Sequence, residues 1–367
     1  MIRPRRSLAA LLAGALLTSA AVASAQDVHL TQFYASPLLL NPALTGGFPG
    51  QLRAAAQYRD QWRGVVENPF TTTSASLDFR FPFANSSPMS GDAAAAGVSF
   101  LNDRVRAFDY SFNKIAASGA YHKLLDKGTG QILSGGLQLA VGQRNVGYSN
   151  LSFQDELEIE PATATTPGRI GYTGTTREQL PQNNIAYFDL GVGVNYSYAP
   201  KGMSAVYVGA AVHHVNEPDI SFFSREDPQP GDSLRQEARL KRRYAAHIAG
   251  AIPLEQGLSL QPRALVQAQG QSFEAVVGSN LRFQFDAFSS TALHVGVWGR
   301  GVRHVDGFGM DAVVGLLGLE VYNILIGTSY DVGVSDFSAG ARGRGALEIS
   351  IAYLGNYNND TVLCPSF

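Results

Sequence analysis

The stretch "ALEISIAY" at residues 346–353 puts Leu347, Ile349, Ile351 and Tyr353 at every second position, with Ala346, Glu348, Ser350 and Ala352 between them. Successive side chains of an extended chain point to opposite sides, so the large residues share one face of a strand and the small and polar ones share the other. Such a strand has two homes. In a soluble sandwich its apolar face meets a second sheet; in an outer-membrane barrel it meets lipid while the polar face looks into the lumen.

The same alternation recurs in about fourteen segments, near residues 51–58, 73–83, 93–102, 108–121, 131–143, 185–198, 203–215, 240–252, 258–268, 273–285, 290–299, 309–317, 321–331 and 345–354. Many run nine to fourteen residues, a length suited to a tilted strand crossing a bilayer. The clearest sets Phe188, Leu190, Val192, Val194, Tyr196 and Tyr198 against Asp189, Gly191, Gly193, Asn195 and Ser197. A fourteen-strand sandwich needs an apolar partner for every such face, whereas lipid supplies one everywhere. The expected fold is all-β, a transmembrane antiparallel outer-membrane β-barrel of about 14 strands.

The connections agree with this reading. If the first strand rises outward, the two longest loops, residues 144–184 and 216–239, follow the fifth and seventh strands and face outside. The short turns "DKGTG", "APKG" and "PLEQG" then face inside. The nearly continuous apolar run Gly315–Gly327 reads as a tight hairpin around Gly318 and Glu320 rather than a buried helix, since Glu320 and Asn323 interrupt it.

Composition points the same way: 39 Gly, 20 Phe and 15 Tyr accompany only 16% charged residues. Arg3, Arg5 and Arg6, an apolar run from Leu8 to Val22 and Ala23-Ser24-Ala25 predict a secretory signal peptide over residues 1–25, cleaved before Gln26. The remaining chain is net acidic by about five charges, which gives no sign of nucleic-acid binding. Cys364 is the single cysteine, so no intramolecular disulfide is available.

Residues that carry chemistry are sparse. His213 and His214 are adjacent on an expected strand and should point to opposite faces, so they do not form a joint metal site. "GVGVNY" from Gly191 lacks the third glycine of a dinucleotide loop; its glycines suit a curved sheet facing a crowded lumen. No nucleophile elbow, zinc helix or paired zinc ligands are found, so no catalytic residue, metal or cofactor is expected. "DELEIE" and "ARLKRRY" read as solvated loop surface, and Arg242 with Arg243 sets the membrane boundary just after Tyr244.

The most distinctive text is "QFYASPLLLNPALTGGFPG" from Gln32, followed by "YRDQWRG" from Tyr58. With "GVSFLNDR", "GAYHKL", "VGAAVHHVNEP", "GTSYDVGVSDF" and the ending "ALEISIAYLGN", it resembles the PorP/SprF family of outer-membrane proteins linked to the type IX secretion system. The matching residues include Gln32, Phe33, Pro37, Leu38, Asn41, Pro42, Ala43, Gly46, Tyr58, Arg59, Gln61 and Trp62. The loop from Asn150 to Gln182 carries no matching motif. The resemblance implies a Bacteroidota-type outer membrane, a non-enzymatic part in exporting or anchoring surface proteins, and a link in some relatives to gliding motility. It implies as partners outer-membrane lipid, other type IX envelope components and a secreted cargo protein with a C-terminal sorting domain.

The domain reading is a signal peptide (1–25), a periplasmic N-terminal segment with the Asn-Pro-Ala motif (26–50), the barrel (51–355) and a C-terminal tail (356–367). Asn41-Pro42 and Gly46-Gly47 are turn signals, so residues 32–50 should be ordered but not strand, packed against the periplasmic mouth or within the lumen as a partial plug or a docking surface for periplasmic components, or else a simple lead-in to the first strand. Gln32, Phe33, Pro37, Asn41, Pro42, Gly46, Tyr58, Arg59, Gln61 and Trp62 are the candidate plug or partner-binding residues. The alternative function is an outer-membrane channel for a small solute or lipid, since a barrel this wide can enclose a lumen.

Overall fold

The computed structural model describes residues 27–64, 68–83, 91–106, 109–148, 151, 153–160, 169–177, 180–222, 239–285, 291–304, 307–334 and 345–355. The signal-peptide reading, the tail and Cys364 lie outside the described residues. The described residues form sixteen strands: β1 (Leu52–Gln61), β2 (Phe70–Pro82), β3 (Ala93–Val105), β4 (Tyr110–Asp126), β5 (Gln131–Asn145), β6 (Leu157–Glu160), β7 (Arg169–Tyr172), β8 (Asn184–Tyr198), β9 (Ala205–His213), β10 (Arg243–Glu255), β11 (Leu258–Gln269), β12 (Ser272–Gln284), β13 (Thr291–His304), β14 (Gly307–Val321), β15 (Ile324–Gly333) and β16 (Gly345–Gly355). Fourteen of them close into an antiparallel barrel in which β1 pairs with β16. The other two, β6 and β7, form a separate hairpin within the long connection between β5 and β8.

The faces follow the alternation read from the sequence. On β16, Leu347, Ile349, Ile351 and Tyr353 are exposed on the outer wall, while Ala346, Glu348, Ser350 and Ala352 are buried within. On β5, Leu133, Leu137, Leu139 and Val141 face out, and Ile132, Ser134, Gln138 and Ala140 face in. An apolar outside around a polar inside is stable only if the outside meets hydrocarbon. Closure leaves no unpaired strand edge, the condition for a sheet to cross a bilayer. Exposed aromatic residues gather toward both ends, with Phe79, Phe81, Phe283 and Tyr353 at one and Tyr58, Trp62, Tyr244 and Tyr330 at the other.

One barrel end carries short connections such as 127–130 and 256–257; the other carries the two long connections spanning residues 146–183 and 214–242, along with tight turns such as 270–271. The apolar run from Gly315 is a hairpin, but its turn lies at Tyr322 and Asn323, with Tyr322 at φ 54°, not around Gly318 and Glu320. Glu320 continues β14 on the inner face, where it accepts bonds from Arg282 Nε (2.9 Å) and Nη2 (3.2 Å); that pairing carries the strand past the point where the sequence suggests a turn.

Leu137 lies mid-strand on the lipid side. Leu137→Arg is expected to lower the unfolding free energy by ~2–4 kcal/mol, measured by urea titration in lipid vesicles. A loss below about 0.5 kcal/mol would contradict the lipid-facing assignment.

Candidate functional site: a lumenal plug

Residues 27–50 lie inside the barrel. Asp27 meets His214 and Arg243 at the long-loop end, and Gln51 N–H donates to Gly355 C=O at the short-turn end (3.3 Å), so the segment traverses the lumen before entering β1. Of the two placements the sequence allows, the periplasmic mouth or the lumen, the described residues 27–50 take the lumen, and only the approach to β1 sits at the short-turn rim.

Three short turns build the segment: a 3-10 turn at Phe33–Ala35, one α-helical turn at Pro37–Leu40 and a 3-10 turn at Pro42–Leu44. Pro37 and Pro42 each stand at a turn start, where a missing N–H costs nothing. Asn41 ends the α-turn in extended conformation, and its Oδ1 accepts from Ala43 N–H at 2.9 Å to cap the next turn. A four-residue helix cannot satisfy its own last carbonyls. The wall does so: Gln138 Nε2 donates to Leu38 C=O (2.9 Å), Arg243 Nη2 to Leu39 C=O (3.1 Å) and the His213 ring to Leu40 C=O (3.1 Å).

Four clusters fix the segment. At the first, Glu348 on β16 accepts from the backbone N–H of Thr31 (2.7 Å) and Gln32 (2.8 Å), from Gln57 Nε2 (3.0 Å) and from Arg59. Arg59 Nη1 and Arg300 Nη1 both reach Asp331 Oδ2, at 3.0 and 2.8 Å, and Thr31 Oγ1 donates to the same oxygen at 2.9 Å. Gln32 completes the cluster, donating to Ser329 Oγ (2.9 Å) and accepting from Ser350 Oγ (2.7 Å).

The second cluster lies at the short-turn end. Arg53 forks onto Asp78 (3.0 and 2.7 Å) and donates to Leu44 C=O, while Gly46 N–H donates to Asp78 Oδ2 at 2.7 Å and Gly46 C=O accepts from Arg80. Gly46 has φ +67°, and a Cβ there would lie 2.3 Å from Ala95 Cβ, so only glycine serves.

The third cluster, at the long-loop end, joins Asp27, His214, Asp189 and Lys114. The His214 ring bridges Asp189 (2.9 Å) and Asp27 (2.7 Å), and Lys114 Nζ donates to Asp189 Oδ2 (2.7 Å). Burial alone would push the His214 imidazole down, but the carboxylates of Asp27 and Asp189 hold it above its ordinary value. Burial likewise opposes ionisation of Asp27, and His214 and Arg243 outweigh it to hold that carboxyl well below the usual carboxylate range. The fourth cluster is apolar: Phe33, Tyr34 and Leu40 pack on Leu265, Val276, Trp298, Val314 and Leu316. Tyr34 stacks on Trp298 (5.5 Å between centroids), and the Arg263 guanidinium covers the Tyr34 ring at 4.3 Å.

The Asn41-Pro42 corner sits in a notch of the wall. Gly136 on β5 and Gly193 on β8 are register partners; a Cβ at Gly136 would lie 2.4 Å from Pro42, and one at Gly193 2.0 Å from Asn41 Oδ1. Asn41 Nδ2 then reaches Val194 C=O at 3.0 Å and the His247 ring at 3.2 Å.

Of the ten residues singled out from the sequence, Gln32, Phe33, Pro37, Asn41, Pro42 and Arg59 are buried in this assembly, and Gly46 anchors its lower end. Gln32 and Arg59 converge on Glu348. Tyr58 and Trp62 face outward near the rim, with Trp62 edge-on to Phe70 at 5.1 Å, and half-buried Gln61 accepts from Arg59 Nε at 3.4 Å. The sequence reading did not single out Glu348, Asp331, Arg300, Asp78, Asp189 or Lys114. Their signal was present: each is a charged residue on the polar face of an alternating strand. His213 and His214 do not point to opposite faces; His214 has φ 57°, which breaks the alternation and turns both rings inward. Among the described residues no group of three or more His, Cys, Asp or Glu side chains is arranged to hold a metal ion.

Glu348→Ala leaves buried Arg59 with Asp331 as its remaining carboxylate and removes the acceptor of two plug amides. It is expected to cost ~3–5 kcal/mol and to expose residues 27–40 to protease, read by urea unfolding and limited proteolysis. Gly136→Leu is expected to expel the Asn41-Pro42 corner and raise ion conductance in planar bilayers. Gly135→Leu, at a position with open space around the would-be Cβ, is expected to leave conductance unchanged. Equal conductance in the two variants would contradict the notch.

A family model described as type IX secretion system membrane protein PorP/SprF matches residues 22–353. Among curated proteins none matches the sequence. Similar solved structures include a TodX monoaromatic hydrocarbon channel mutant (10% identity, 87% of this chain and 94% of that one, TM-score 0.49) and the CymD monoaromatic hydrocarbon channel (8%, 88% and 94%, TM-score 0.48). A FadL homologue from Pseudomonas aeruginosa is also similar (10%, 87% and 93%, TM-score 0.46). With nearly the whole barrel and the plug motif inside the matched region, the chain belongs to the PorP/SprF family of type IX secretion system membrane proteins.

Proposed function

We propose that the protein is a non-enzymatic component of type IX secretion that handles or anchors an exported surface protein, an adhesin-like cargo with a C-terminal sorting domain. The observation that carries this reading is the seated plug. The family motif Gln32–Gly46 is spent on filling the lumen, with buried ion pairs and turn carbonyls satisfied by the wall, and this favours a protein that acts through its rims over one that conducts solute. The long connections of the β5–β8 and β9–β10 sides, with the β6–β7 hairpin, offer the external surface for cargo. The short-turn rim, where the plug meets Gly355, offers the periplasmic one for other secretion components. Exposed Tyr58 and Trp62 belong to the wall and meet lipid or a neighbouring envelope protein. No cofactor enters this role.

A deletion strain is expected to lose surface display of proteins carrying a C-terminal sorting domain, assayed by protease shaving of intact cells, while small-solute uptake stays unchanged. Intact display together with lost uptake of a small solute or lipid would replace this reading with a channel.

A further inference from the structure

The outer wall is not uniform around its circumference. At the long-loop end, strand register sets Arg104 (β3) beside Ser111 (β4), Ser111 beside Asn145 (β5) and Asn145 beside Asn184 (β8). Their strand neighbours Asp103, Phe112 and Arg144 face inward: Thr72 on the inner face of β2 donates to Asp103, and Arg144 lies over the Phe112 ring. The row Arg104, Ser111, Asn145, Asn184 therefore faces outward. Two residues down the strands, about 7 Å lower, a second outward row holds Asn102, Asn113 and Gln143. The row below that is Phe100, Ile115, Val141 and Phe188, all exposed hydrocarbon. On the opposite side, Phe308 and Met310 of β14 and Tyr330 and Val332 of β15 face outward near the same end, with Arg303 of β13 beside Phe308.

Two polar rows thus stand on an apolar wall along β3, β4 and β5, the upper one continuing onto β8, where Ala186 takes the lower position. Arg104, Asn145 and Asn184 of the upper row, together with Arg106, Asp109 and Asn183, help line a cleft of about 520 Å³. Arg104 and Arg106 are exposed, and with Asp109 the cleft keeps a net positive charge. Guanidinium forks match phosphate oxygens, and amide and hydroxyl side chains both donate to and accept from sugar hydroxyls. The hydrocarbon row immediately below gives acyl chains a surface to lie on.

We propose that this outward-facing cleft binds the phosphorylated saccharide headgroup of an outer-leaflet glycolipid, with Arg104 and Arg106 on the phosphate and the Asn-rich rows on the sugar. The join of polar rows to apolar wall selects an amphiphile over a soluble sugar phosphate. The proposal rests on the reading that places the long loops outside the cell, but not on a part in secretion.

The test is native mass spectrometry of the full-length protein in detergent with bis-phosphorylated lipid A, its dephosphorylated form, and inorganic phosphate as competitor. Wild type is expected to retain the phosphorylated lipid. The double variant Arg104→Ala/Arg106→Ala is expected to lose affinity by about tenfold or more, and Arg303→Ala, an exposed arginine on β13, to retain it. Heat-modifiable migration on gels confirms that each variant is a folded barrel. Equal retention of the dephosphorylated lipid, equal loss in the Arg303→Ala control, or displacement by inorganic phosphate at the lipid's own concentration would each overturn the proposal. Because the assay uses purified protein, a strain that secretes normally without it leaves this result standing.

Discussion

Everything in this barrel depends on what satisfies Glu348. Its carboxylate is fully buried on the inner face of β16, where an unpaired charge is costly. It is held by one guanidinium, one side-chain amide and two main-chain N–H groups of residues 31 and 32. The last two donors come from the plug, so wall and plug are not separable parts. Without the segment, Glu348 keeps Arg59 and Gln57 but loses half its donors. Without Glu348, the amides of Thr31 and Gln32 lose their acceptor, and the turn keeps only the side-chain bonds of Thr31 to Asp331 and of Gln32 to Ser329 and Ser350.

The same reciprocity runs through the lumen. The α-turn at residues 37–40 is far too short to be stable alone, and its carbonyls are satisfied by Gln138, Arg243 and His213 from three different strands. Gly46 supplies a donor to Asp78, which Arg53 already neutralises. Ionic wall residues set the positions, and the apolar contacts of Phe33, Tyr34 and Leu40 with the Trp298 region supply burial at ~1.5–3 kcal/mol for each large side chain.

The wall was legible because period-two alternation is a local property: the opposed faces of residues 346–353 follow from eight consecutive letters. Fourteen strands and two long connections emerge by repeating that reading. The plug was legible only as turn chemistry. Asn41 and Pro42 announce a corner, but the partners that make the corner specific, Gly136, Gly193, Val194 and His247, lie about a hundred to two hundred residues away, and only closure of the barrel brings them together. The glycines of "GVGVNY" were read correctly as facing a crowded lumen, without any sign of what crowds it. His214 was misread because one left-handed residue after a strand defeats alternation. The hairpin turn lies at Tyr322, later than the sequence suggests, because Glu320 looks like a turn residue until Arg282 reaches it from β12, across β13.

A segment held this way cannot slide. Moving it by one residue would take Gly46 out of the only position with φ +67° against Ala95, put a side chain into the Gly136/Gly193 notch in place of the Asn41-Pro42 corner, and leave Glu348 facing different amides. These contacts are spread from one barrel end to the other, so none of them can be exchanged for a neighbour while the rest persist. The plug therefore has one seated register, and sliding it along the lumen would break the Glu348, Asp78 and Asp27 clusters together rather than in small steps.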